Sequence, residues 1–516
     1  MFPGNFVATT PDKPAVIAAA TGASLTYRQV DENSTRIANH LAALGLARGD
    51  TVAVVSDNSL HIFEVYWAAL RSGMYLTAIN HHLTADETNY ILTDCGARVL
   101  FAGAAVAPAV AEAGQIDDLA RPGHRIAWGE SGHNSSLPGF DDYDHILATA
   151  SAEPRTDQPR GTDFLYSSGT TGRPKGIKIP LPDGQVDQIP DTYTVVFGGL
   201  YQFGADTVYL SPAPLYHAAP LRYCGTTNSV GGTVIMLDRF EPEAALAAID
   251  KYRVTHSQWV PTMFIRMLKL PAEVRERYDV SSMRYAVHAA APCPAEVKRA
   301  MIEWWGPVIH EYYASTEAAG ATMIGPQDAL ERPGSVGKAL LGVIRICDEA
   351  GAEVPTGKVG LVYFERDHMP FQYHNDSAKT REAQHPEHEN WSTTGDIGYL
   401  DEDGFLYLTD RKAFTIISGG VNIYPQEAEN VLIGHPAVYD VAVIGVPDPE
   451  LGEVAKACVQ LAPGNAPSAE LAAELLDYVG DRIAAFKVPR SVDFLDDLPR
   501  TPTGKLVKRE LQKQYA

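Results

Sequence analysis

The sequence predicts an α/β fold: a large N-terminal domain of α/β subdomains plus a β-rich subdomain, followed by a small C-terminal α+β domain. Helical and strand patterns alternate through the first part of the chain, which is typical of helices packed on largely parallel sheets. After about residue 330 the segments resemble short strands joined by Asp/Gly turns. A chain of 516 residues also exceeds what one hydrophobic core supports, so at least two domains are expected.

The first predicted helix and strand lie near the N-terminus. Val30, Ile37 and Leu41 recur at helical spacing, and the pattern stops at Gly45. A β-rich run, Thr51–Val55, follows. The alternation continues through a helical pattern over residues 62–69, a strand at Tyr75–Ile79, and helices at Ala245–Tyr252 and Pro294–Trp305.

The last hundred residues predict a compact domain of strands and one helix. We place the boundary near residue 410, which gives domains of residues 1–410 and 411–516. The strands predicted in the second half of the chain are Val359–Phe364, Gly404–Leu408, Val438–Val446, Ala455–Leu461 and Ser491–Phe494, with a helix from Ala469 to about Ala485.

Charge and hydropathy exclude some classes of partner. The formal net charge is −22, and an acidic surface repels nucleic acid. Residues 1–16 lack the basic and apolar regions of a signal peptide, and the longest apolar run, Val99–Ala111, is too short to span a bilayer. We expect a cytoplasmic protein with no transmembrane segment and no nucleic-acid partner. Peripheral membrane contact and a homodimer both stay open.

The five cysteines are scattered and show no Cys-x-x-Cys spacing. This pattern argues against a disulfide framework and against a structural zinc site. We therefore expect reduced, mostly buried thiols at Cys95, Cys224, Cys293, Cys347 and Cys458.

The sharpest local signal is the run Tyr166–Gly176, with the sequence YSSGTTGRPKG. Small hydroxyl and glycine residues let the backbone approach a phosphate closely, and Lys175 adds a positive charge. A P-loop NTPase needs Gly before that lysine and Ser or Thr after it, whereas Pro174 and Gly176 stand there. A dinucleotide loop is excluded as well, because the run contains no G-x-G-x-x-G. From composition alone, a Ser/Thr/Gly-rich turn that binds no ligand is the alternative interpretation.

This run resembles the phosphate-binding signature of the adenylate-forming superfamily, which includes acyl-CoA synthetases, luciferases and the adenylation domains of peptide synthetases. The chain is most similar to bacterial fatty-acyl-CoA synthetases. The resemblance implies ATP as a substrate and Mg²⁺ as a cofactor. It implies catalytic roles for Thr170 and Lys175, a place beside the metal for Thr170, and nucleotide binding by Ser167, Ser168, Gly169, Thr171 and Gly172.

A second motif, Glu311–Glu317, resembles the adenine segment of the family. The resemblance implies that Tyr313 stacks on adenine, that Thr316 contacts phosphate, and that Glu317 is catalytic and holds Mg²⁺. An aromatic face suits a flat base, and a carboxylate suits a hard cation that keeps several waters.

Two further motifs match the family. The run Leu215–Pro220 resembles its histidine motif, which implies that His217 borders the substrate carboxylate and orients the acyl group. The run Ser392–Asp396 resembles its ribose motif, which implies that Asp396 accepts hydrogen bonds from the sugar and that Arg411 reaches the ribose or a phosphate. For each motif taken alone, the competing interpretations are a structural role for His217 and a β-turn position for Asp396.

The C-terminal region carries the last two motifs. The run RTPTGK ends at Lys505, and the resemblance implies that this lysine bridges the carboxylate and the α-phosphate, as a mobile point charge can. In the family the small C-terminal domain is mobile: it rotates on a hinge and presents a glycine-rich face to coenzyme A. That face corresponds to Ser418–Pro425, where Ser418, Gly419 and Gly420 would bind the co-substrate.

Three positions depart from the family pattern. Many members have Gln at the position of Glu311 and Gly at that of Ala314. The hinge position two residues after Arg411 is usually Lys or Asp and is Ala413 here. These departures concern the support of the adenine segment, the local width of the acyl pocket and a polar contact in one hinge state.

Together the motifs imply an ATP-dependent acyl-CoA ligase, an AMP-forming acid–thiol ligase of fatty acid and lipid metabolism. A carboxylate attacks the α-phosphorus of ATP and pyrophosphate leaves; coenzyme A then takes the acyl group as a thioester and AMP is released. A stand-alone adenylation enzyme that loads a carrier protein is the nearer rival. A luciferase-like monooxygenase and a catalytically inactive adenylate-binding protein are more distant rivals.

The motifs leave the acid open. Segments expected around the acyl pocket are His217–Arg222, His256–Phe264, His288–Ala291 and Ala314–Met323, with Trp259 and Phe264 as a gate, a wall or plain core. The unusual stretch Ile179–Asp191 is a candidate for shaping the entry. We expect a fatty or bulky cyclic, steroid-like carboxylate.

Overall fold

The computed structural model describes residues 1–103, 106, 123–129, 139–167, 174–419, 421–500 and 506–515, with the backbone alone at Ser167. Helices and strands alternate in the first half, which confirms the predicted α/β class. The chain divides into two compact units. Unit 1 comprises Met1–Trp259, Arg266–Val287 and Phe371–Ser377, and unit 2 comprises Val260–Ile265, His288–Pro370 and Ala378–Ala516. The boundary expected after residue 410 is a different division and stays a prediction.

Unit 1 contains a mainly parallel sheet with the phosphate segment at one edge. Its strands are β3 (Thr51–Val55), β4 (Tyr75–Ile79), β5 (Ala97–Gly103), β6 (His124–Trp128), β7 (Asp141–Asp142), β8 (Thr162–Ser167) and β9 (Lys175–Lys178). Within the described ranges their order is β7-β6-β5-β3-β4-β8-β9, and β8–β9 is the antiparallel pair. β3 and β4 are buried at every position and have the predicted bounds, as expected of parallel strands covered on both faces.

The helices near this sheet begin at capping residues. Thr26 accepts a hydrogen bond from the Gln29 backbone, and Thr84 does the same for Glu87, each in a reciprocal capping box. Ile91 and Leu92 pack one helix into the core of the sheet. The helices of this region are Tyr27–Ala43, Leu60–Leu70, Ala85–Asp94 and Tyr143–Thr149.

A second sheet in unit 1 carries the histidine motif. Its strands are β1 (Pro14–Ala18), β2 (Ser24–Thr26), β10 (Val208–Ser211), β11 (Thr233–Met236) and β12 (His256–Trp259), and they lie in the order β12-β10-β11-β1-β2. All neighbours are parallel except β1 and β2. The next strand along the chain is β13 (Tyr285–His288). The helices of this part are Ala218–Ser229, Pro242–Tyr252 and Ala272–Arg275, while the helix Pro261–Leu268 is divided between the two units.

Unit 2 begins with an antiparallel sheet, the predicted β-rich part. Its strands are β14 (Ile309–Ala314), β15 (Ala321–Ile324), β16 (Ser335–Leu341), β17 (Val343–Cys347), β18 (Gly360–Glu365), β19 (Trp391–Ser392), β20 (Asp396–Leu400) and β21 (Leu406–Arg411). They run in the order β17-β18-β20-β21-β16-β15-β14, with β19 on β18. The accompanying helices are Ala295–Trp305, Pro326–Glu331 and Ser377–Glu382.

The remainder of unit 2 is the small α+β domain. Its strands are β22 (Ile416–Ser418), β23 (Val421–Ile423), β24 (Val438–Asp448), β25 (Gly452–Leu461) and β26 (Ser491–Phe494), and its helices are Pro425–Leu432, Ala469–Gly480 and Lys508–Gln514. The helix expected to reach about Ala485 ends instead at Gly480, because Val479 is the last residue that it buries. A short 3-10 turn, Ala485–Lys487, follows.

Two global properties follow from the described residues. No described helix is both long and apolar enough to cross a membrane. All five cysteines are free and buried. Burial raises the pKa of the Cys224 and Cys293 thiols to about 12, so these thiols stay protonated and unreactive at neutral pH.

Candidate active site

The phosphate segment is closed at its base by the hairpin of β8 and β9. Ser167 lies opposite Lys175, and Tyr166 lies opposite Gly176. The two ends of the predicted phosphate loop therefore leave the sheet side by side. The loop residues Ser168, Gly169, Thr170, Thr171 and Gly172 lie outside the described residues.

Packing explains the glycine of this hairpin. A Cβ atom at Gly176 would lie 2.9 Å from the Phe164 ring and 3.0 Å from the Tyr166 ring. Lys175 precedes it, and its Nζ lies 4.7 Å from the centroid of the Tyr373 ring. The lysine that the sequence assigned to the phosphates is thus held on an aromatic face at the stem of the loop.

His217 stands at the start of the helix Ala218–Ser229, where it occupies the N-cap position without a capping bond from its side chain. Asn58 holds the loop before it. The Asn58 side-chain amide donates to the Ala213 carbonyl at 3.2 Å, and its oxygen accepts from the Leu215 N–H at 2.8 Å. Sequence reasoning missed Asn58, although its place just after β3, at the carboxyl edge of the sheet, is a usual place for a site residue.

A buried ion pair joins the histidine helix to the phosphate strand. Arg222 Nη2 lies 2.6 Å from Asp163 Oδ2, and the two side chains are 11% and 6% exposed. The Arg222 guanidinium also lies over the Tyr193 ring at 4.1 Å. Asp163 is on β8, shortly before Ser167, so this pair fixes the strand and the helix that carry two of the predicted motifs.

In unit 2 the adenine and ribose motifs meet at Asp396. The Tyr313 hydroxyl and the Thr394 hydroxyl donate to Asp396 Oδ2 at 2.6 and 2.8 Å, and Arg411 Nε donates to Oδ1 at 2.9 Å. The structure thus brings together three residues that the sequence had assigned to nucleotide binding from separate segments. A carboxylate has about four acceptor positions, so room for one further donor remains at Asp396.

Charges in this cluster are coupled. Asp396 raises the pKa of the Arg411 guanidinium, with smaller contributions from Tyr313 and Glu317. Burial raises the pKa of the Tyr313 hydroxyl well above its usual value, and Asp396 adds to this. Tyr313 therefore stays protonated and donates, while Arg411 stays charged.

Glu317 lies in the turn after β14 together with Thr316 and is 9% exposed. Mg²⁺ in nucleotide sites is usually held by one or two carboxylates plus phosphate oxygens and waters, so one buried carboxylate fits such an ion. Within the described part of the chain, no group of three or more His, Cys, Asp and Glu residues is arranged to hold a metal. A metal at Glu317 would thus depend on the phosphates and on water for most of its ligands.

The departure at Glu311 has a structural partner. Lys298, on the helix Ala295–Trp305, donates to the Glu311 carboxylate, and its Nζ also lies 3.3 Å from the Ser335 carbonyl. Both side chains are buried, at 4% and 5% exposed. Burial raises the pKa of the Glu311 carboxyl, and the Lys298 ammonium opposes that rise. The adenine segment is thus supported by an ion pair.

The predicted coenzyme A face is the hairpin of β22 and β23. Ser418 lies opposite Val421, and the Gly419 N–H donates to the Leu451 carbonyl at 2.8 Å. Gly419 has a φ of +56°, the left-handed region that glycine adopts readily. Ala413, at the expected hinge, is exposed in a 3-10 turn. Gly420 and Lys505 lie outside the described residues.

The candidates for the acyl pocket differ in their burial. Trp259 and Phe264 are both fully buried, which supports the interpretation as plain core. The stretch Ile179–Asp191 packs on Arg160, whose guanidinium donates to the Ile189 carbonyl at 3.0 Å and pairs with Asp191 at 2.9 Å.

Family models and known relatives match nearly the whole chain. The model described as AMP-binding enzyme matches residues 5–374, and the one described as AMP-binding enzyme C-terminal domain matches residues 427–505. The long-chain-fatty-acid–CoA ligase FadD13 of Mycobacterium tuberculosis is 32% identical over 98% of this chain and 96% of its own. The fatty acid–[acyl-carrier-protein] ligase ScoC of Streptomyces coeruleorubidus is 31% identical over 98% and 94%.

A solved structure agrees with these relatives. The anthranilate CoA ligase AuaEII in complex with anthranoyl-AMP has a TM-score of 0.85 and 26% identity, over 99% of this chain and 96% of that one. The chain therefore belongs to the AMP-binding enzyme family, in the adenylate-forming superfamily, and is an enzyme of the acid–thiol ligase class.

Proposed function

We propose that this chain is an ATP-dependent acyl-CoA ligase that converts a carboxylic acid to its coenzyme A thioester through an acyl-adenylate. The observation that carries the proposal is the Asp396 cluster, in which Tyr313 and Arg411 are hydrogen-bonded to one carboxylate. An aromatic ring, an acidic acceptor and a fixed positive charge are the groups that a base, a sugar diol and a phosphate need.

Adenylate formation joins two anions, so the residues act by positioning and by charge. Tyr313 would stack on the base, Asp396 would accept from the ribose with its remaining acceptor position, and Arg411 would neutralise charge on the α-phosphate. Lys175 at the stem of the phosphate loop would meet the β- and γ-phosphates. His217 would orient the carboxylate that attacks the α-phosphorus.

Mg²⁺ belongs to this proposal, with Glu317 and Thr170 as its protein ligands. When bound, the ion supplies charge neutralisation on the phosphates. The protein contributes the carboxylate of Glu317, which follows the β14 strand and is buried beside the Arg411 charge. The positive charge of Arg411 partly offsets the negative charge of Glu317. This weakens the binding of a free Mg²⁺ ion there and favours Mg²⁺ that arrives already bound to ATP.

The thioester step uses the C-terminal region. We place the domain boundary between residues 410 and 411 and the hinge position at Ala413, so that the C-terminal domain 411–516 presents Lys505 in the first step and the Ser418–Gly420 hairpin in the second. Ala413 removes the polar contact expected in one hinge state, which lowers the cost of leaving that state. Cytoplasmic location is part of this proposal and is supported by five free, buried thiols.

The acid is proposed to be a fatty or bulky cyclic carboxylate. FadD13 is named for long-chain fatty acids, which supports the fatty half of this class. AuaEII is named for anthranilate, a single-ring acid, which supports a cyclic acid but not a bulky one. The name of ScoC favours a second candidate, transfer of the acyl group to a carrier protein. The two candidates share the first step and differ in the thiol that accepts the acyl group.

Pyrophosphate release across a panel of fatty, aromatic and steroid-like acids, with and without coenzyme A, tests the proposal. We expect release with at least one class of acid and a thioester only when coenzyme A is present. A failure of every acid to release pyrophosphate, or to form a thioester, would contradict the ligase proposal. Thioester on a phosphopantetheinyl carrier but not on coenzyme A would favour the second candidate.

Replacing Lys505 separates the two steps. Lys505→Ala is expected to abolish adenylate formation while thioester formation from supplied acyl-adenylate is less affected, because the lysine acts between two anions only in the first step. Lys508→Ala in the same domain is unsuitable as a control, since Lys508 is buried against Glu429; Lys513→Ala, an exposed lysine, is the matched control. Equal loss of both steps in Lys505→Ala would contradict the assignment.

A further inference from the structure

The segment Phe371–Ser377 lies along the outer edge of the phosphate hairpin within unit 1. Tyr373 forms an antiparallel bridge with Ile177, and the His374 N–H donates to the Gly176 carbonyl at 3.0 Å. β9 is the edge strand of its sheet in the described ranges. The segment therefore covers an edge that would otherwise leave backbone groups unpaired beside Lys175.

Asp94 joins this segment to the other strand of the hairpin. Its carboxylate accepts from the Tyr166 hydroxyl at 2.6 Å and from the Asn375 side-chain amide at 3.1 Å, and its carbonyl oxygen lies 3.0 Å from Nε2 of His374. Asp94 thus holds β8 directly, through Tyr166, and β9 only indirectly, through the segment that is paired with it. The stem clamp consists of Asp94, Tyr166, Tyr373, His374 and Asn375.

Ring contacts make the clamp stiff. Phe164 and Tyr166 stack with centroids 5.4 Å apart, and the His374 ring meets Phe164 edge-on at 5.2 Å. Asn375 has a φ of +54°, a left-handed conformation that asparagine tolerates better than most residues. The same residue therefore supplies both the turn and the amide that reaches Asp94.

Tyr373 is the member of the clamp that contacts the predicted phosphate lysine. The Lys175 ammonium lies over its ring at 4.7 Å, within the range of a cation–π contact. Tyr373 is 8% exposed, and Phe371 packs edge-on against it at 5.2 Å. Because the Tyr373 ring is packed and its backbone is bridged to Ile177, the ring offers a fixed contact surface for a long, flexible side chain.

We propose that the stem clamp positions Lys175 for the triphosphate of ATP, and that Tyr373 and Asp94 are positioning residues for nucleotide binding. This inference rests on the proposed ATP-dependent function. A lysine side chain that is free to change rotamer loses conformational entropy when it binds a phosphate. A lysine side chain already held at the stem loses less conformational entropy on binding. The clamp thus improves ATP affinity and has no part in recognition of the acid.

Calorimetric titration of MgATP, without any acid, tests the role of Tyr373. Tyr373→Leu is expected to raise the Kd for ATP about three- to tenfold. Tyr373→Phe keeps the ring and is expected to stay within about twofold of the wild type. In a Lys175→Gln background, Tyr373→Leu is expected to cause no further loss. Equal effects of Leu and Phe, or a full effect of Leu in the Lys175→Gln background, would overturn the proposal.

A second variant tests the Asp94 contact without removing a ring. Asn375→Asp keeps a residue that tolerates the left-handed backbone but places a second carboxylate beside Asp94. We expect weaker ATP binding at pH 8 and recovery towards pH 5.5, because one of two facing carboxyls then takes up a proton. A merely structural role would lower the thermal midpoint, more at pH 8 than at pH 5.5, and leave the Kd for ATP unchanged at both values.

These outcomes are distinct from a failure of the proposed function. A wild type that binds MgATP but activates no acid would contradict the ligase proposal. The Kd values for MgATP of the Tyr373 variants would still test the stem clamp. A wild type that does not bind MgATP would overturn both.

Discussion

The Lys298–Glu311 pair gives the sharpest test of how the adenine segment is supported. Lys298→Met removes the ammonium from a site where both side chains are almost fully buried. Glu311 must then either stay charged, with only the His288 imidazole 3.9 Å away, or take up a proton. Breaking a buried ion pair from one side costs about 3–5 kcal/mol, so we expect a loss of stability in that range.

The companion substitution separates charge from packing. Glu311→Gln alone leaves Lys298 buried without its counter-charge, with the Ser335 carbonyl as its nearest other acceptor. The double variant, Lys298→Met with Glu311→Gln, leaves no charge behind. We expect it to recover at least about 2 kcal/mol of the summed single losses, a coupling energy usual for residues in direct contact.

Urea unfolding at pH 7.5 measures these losses, and the Kd for MgATP reports the consequence for the site. Glu311 lies on the strand that carries Tyr313, so the single variants should weaken ATP binding more than the double variant does. Additive losses of stability, with no recovery in the double variant, would refute the idea that Lys298 compensates for Glu311.

Three further predictions concern other parts of the chain. Asp163→Asn leaves the Arg222 guanidinium buried without its counter-charge and should lower the free energy of unfolding by about 3 kcal/mol. Urea unfolding measures this loss, and a loss under about 1 kcal/mol would contradict the prediction. Burial lowers the pKa of the His256 imidazole to about 4. Since this folded-state pKa lies below the ordinary value, the free energy of unfolding falls as the pH drops from about 6.5 towards 4, and the loss is about 2 kcal/mol at pH 5. His256→Gln should remove that loss, which unfolding curves at about pH 6.5 and pH 5 would show. Gly320→Ala would overlap the Phe364 ring and should cost about 1–3 kcal/mol, seen as a lower thermal midpoint; an unchanged midpoint would mean that the ring moves freely.

Local pattern predicted the regular elements well where burial is one-sided or complete. Thr51–Val55 has the expected bounds, because a short, fully buried run of β-branched residues between turns allows few other structures. Ser491–Phe494 also has the expected bounds, although all four of its residues are only half-buried. The helix from Ala469 was predicted to extend to about Ala485, beyond its actual end at Gly480. Its alanine-rich continuation favours a helix by propensity, but the buried face ends at Val479, and packing outweighs propensity.

The class of the enzyme and the order of its motifs can be predicted from the amino-acid sequence, because those motifs are contiguous runs whose residue types already carry the chemistry of phosphate, base and sugar. How the motifs are held in place is visible only in three dimensions. Asp396 with Tyr313, Glu311 with Lys298, and Asp94 with Asn375 are each joined across many residues of chain. Such pairs form where strands and helices meet in space, and no local pattern encodes the partner. The phosphate signature thus indicated ATP, whereas the stem beneath it became visible only once the segment Phe371–Ser377 was seen along β9.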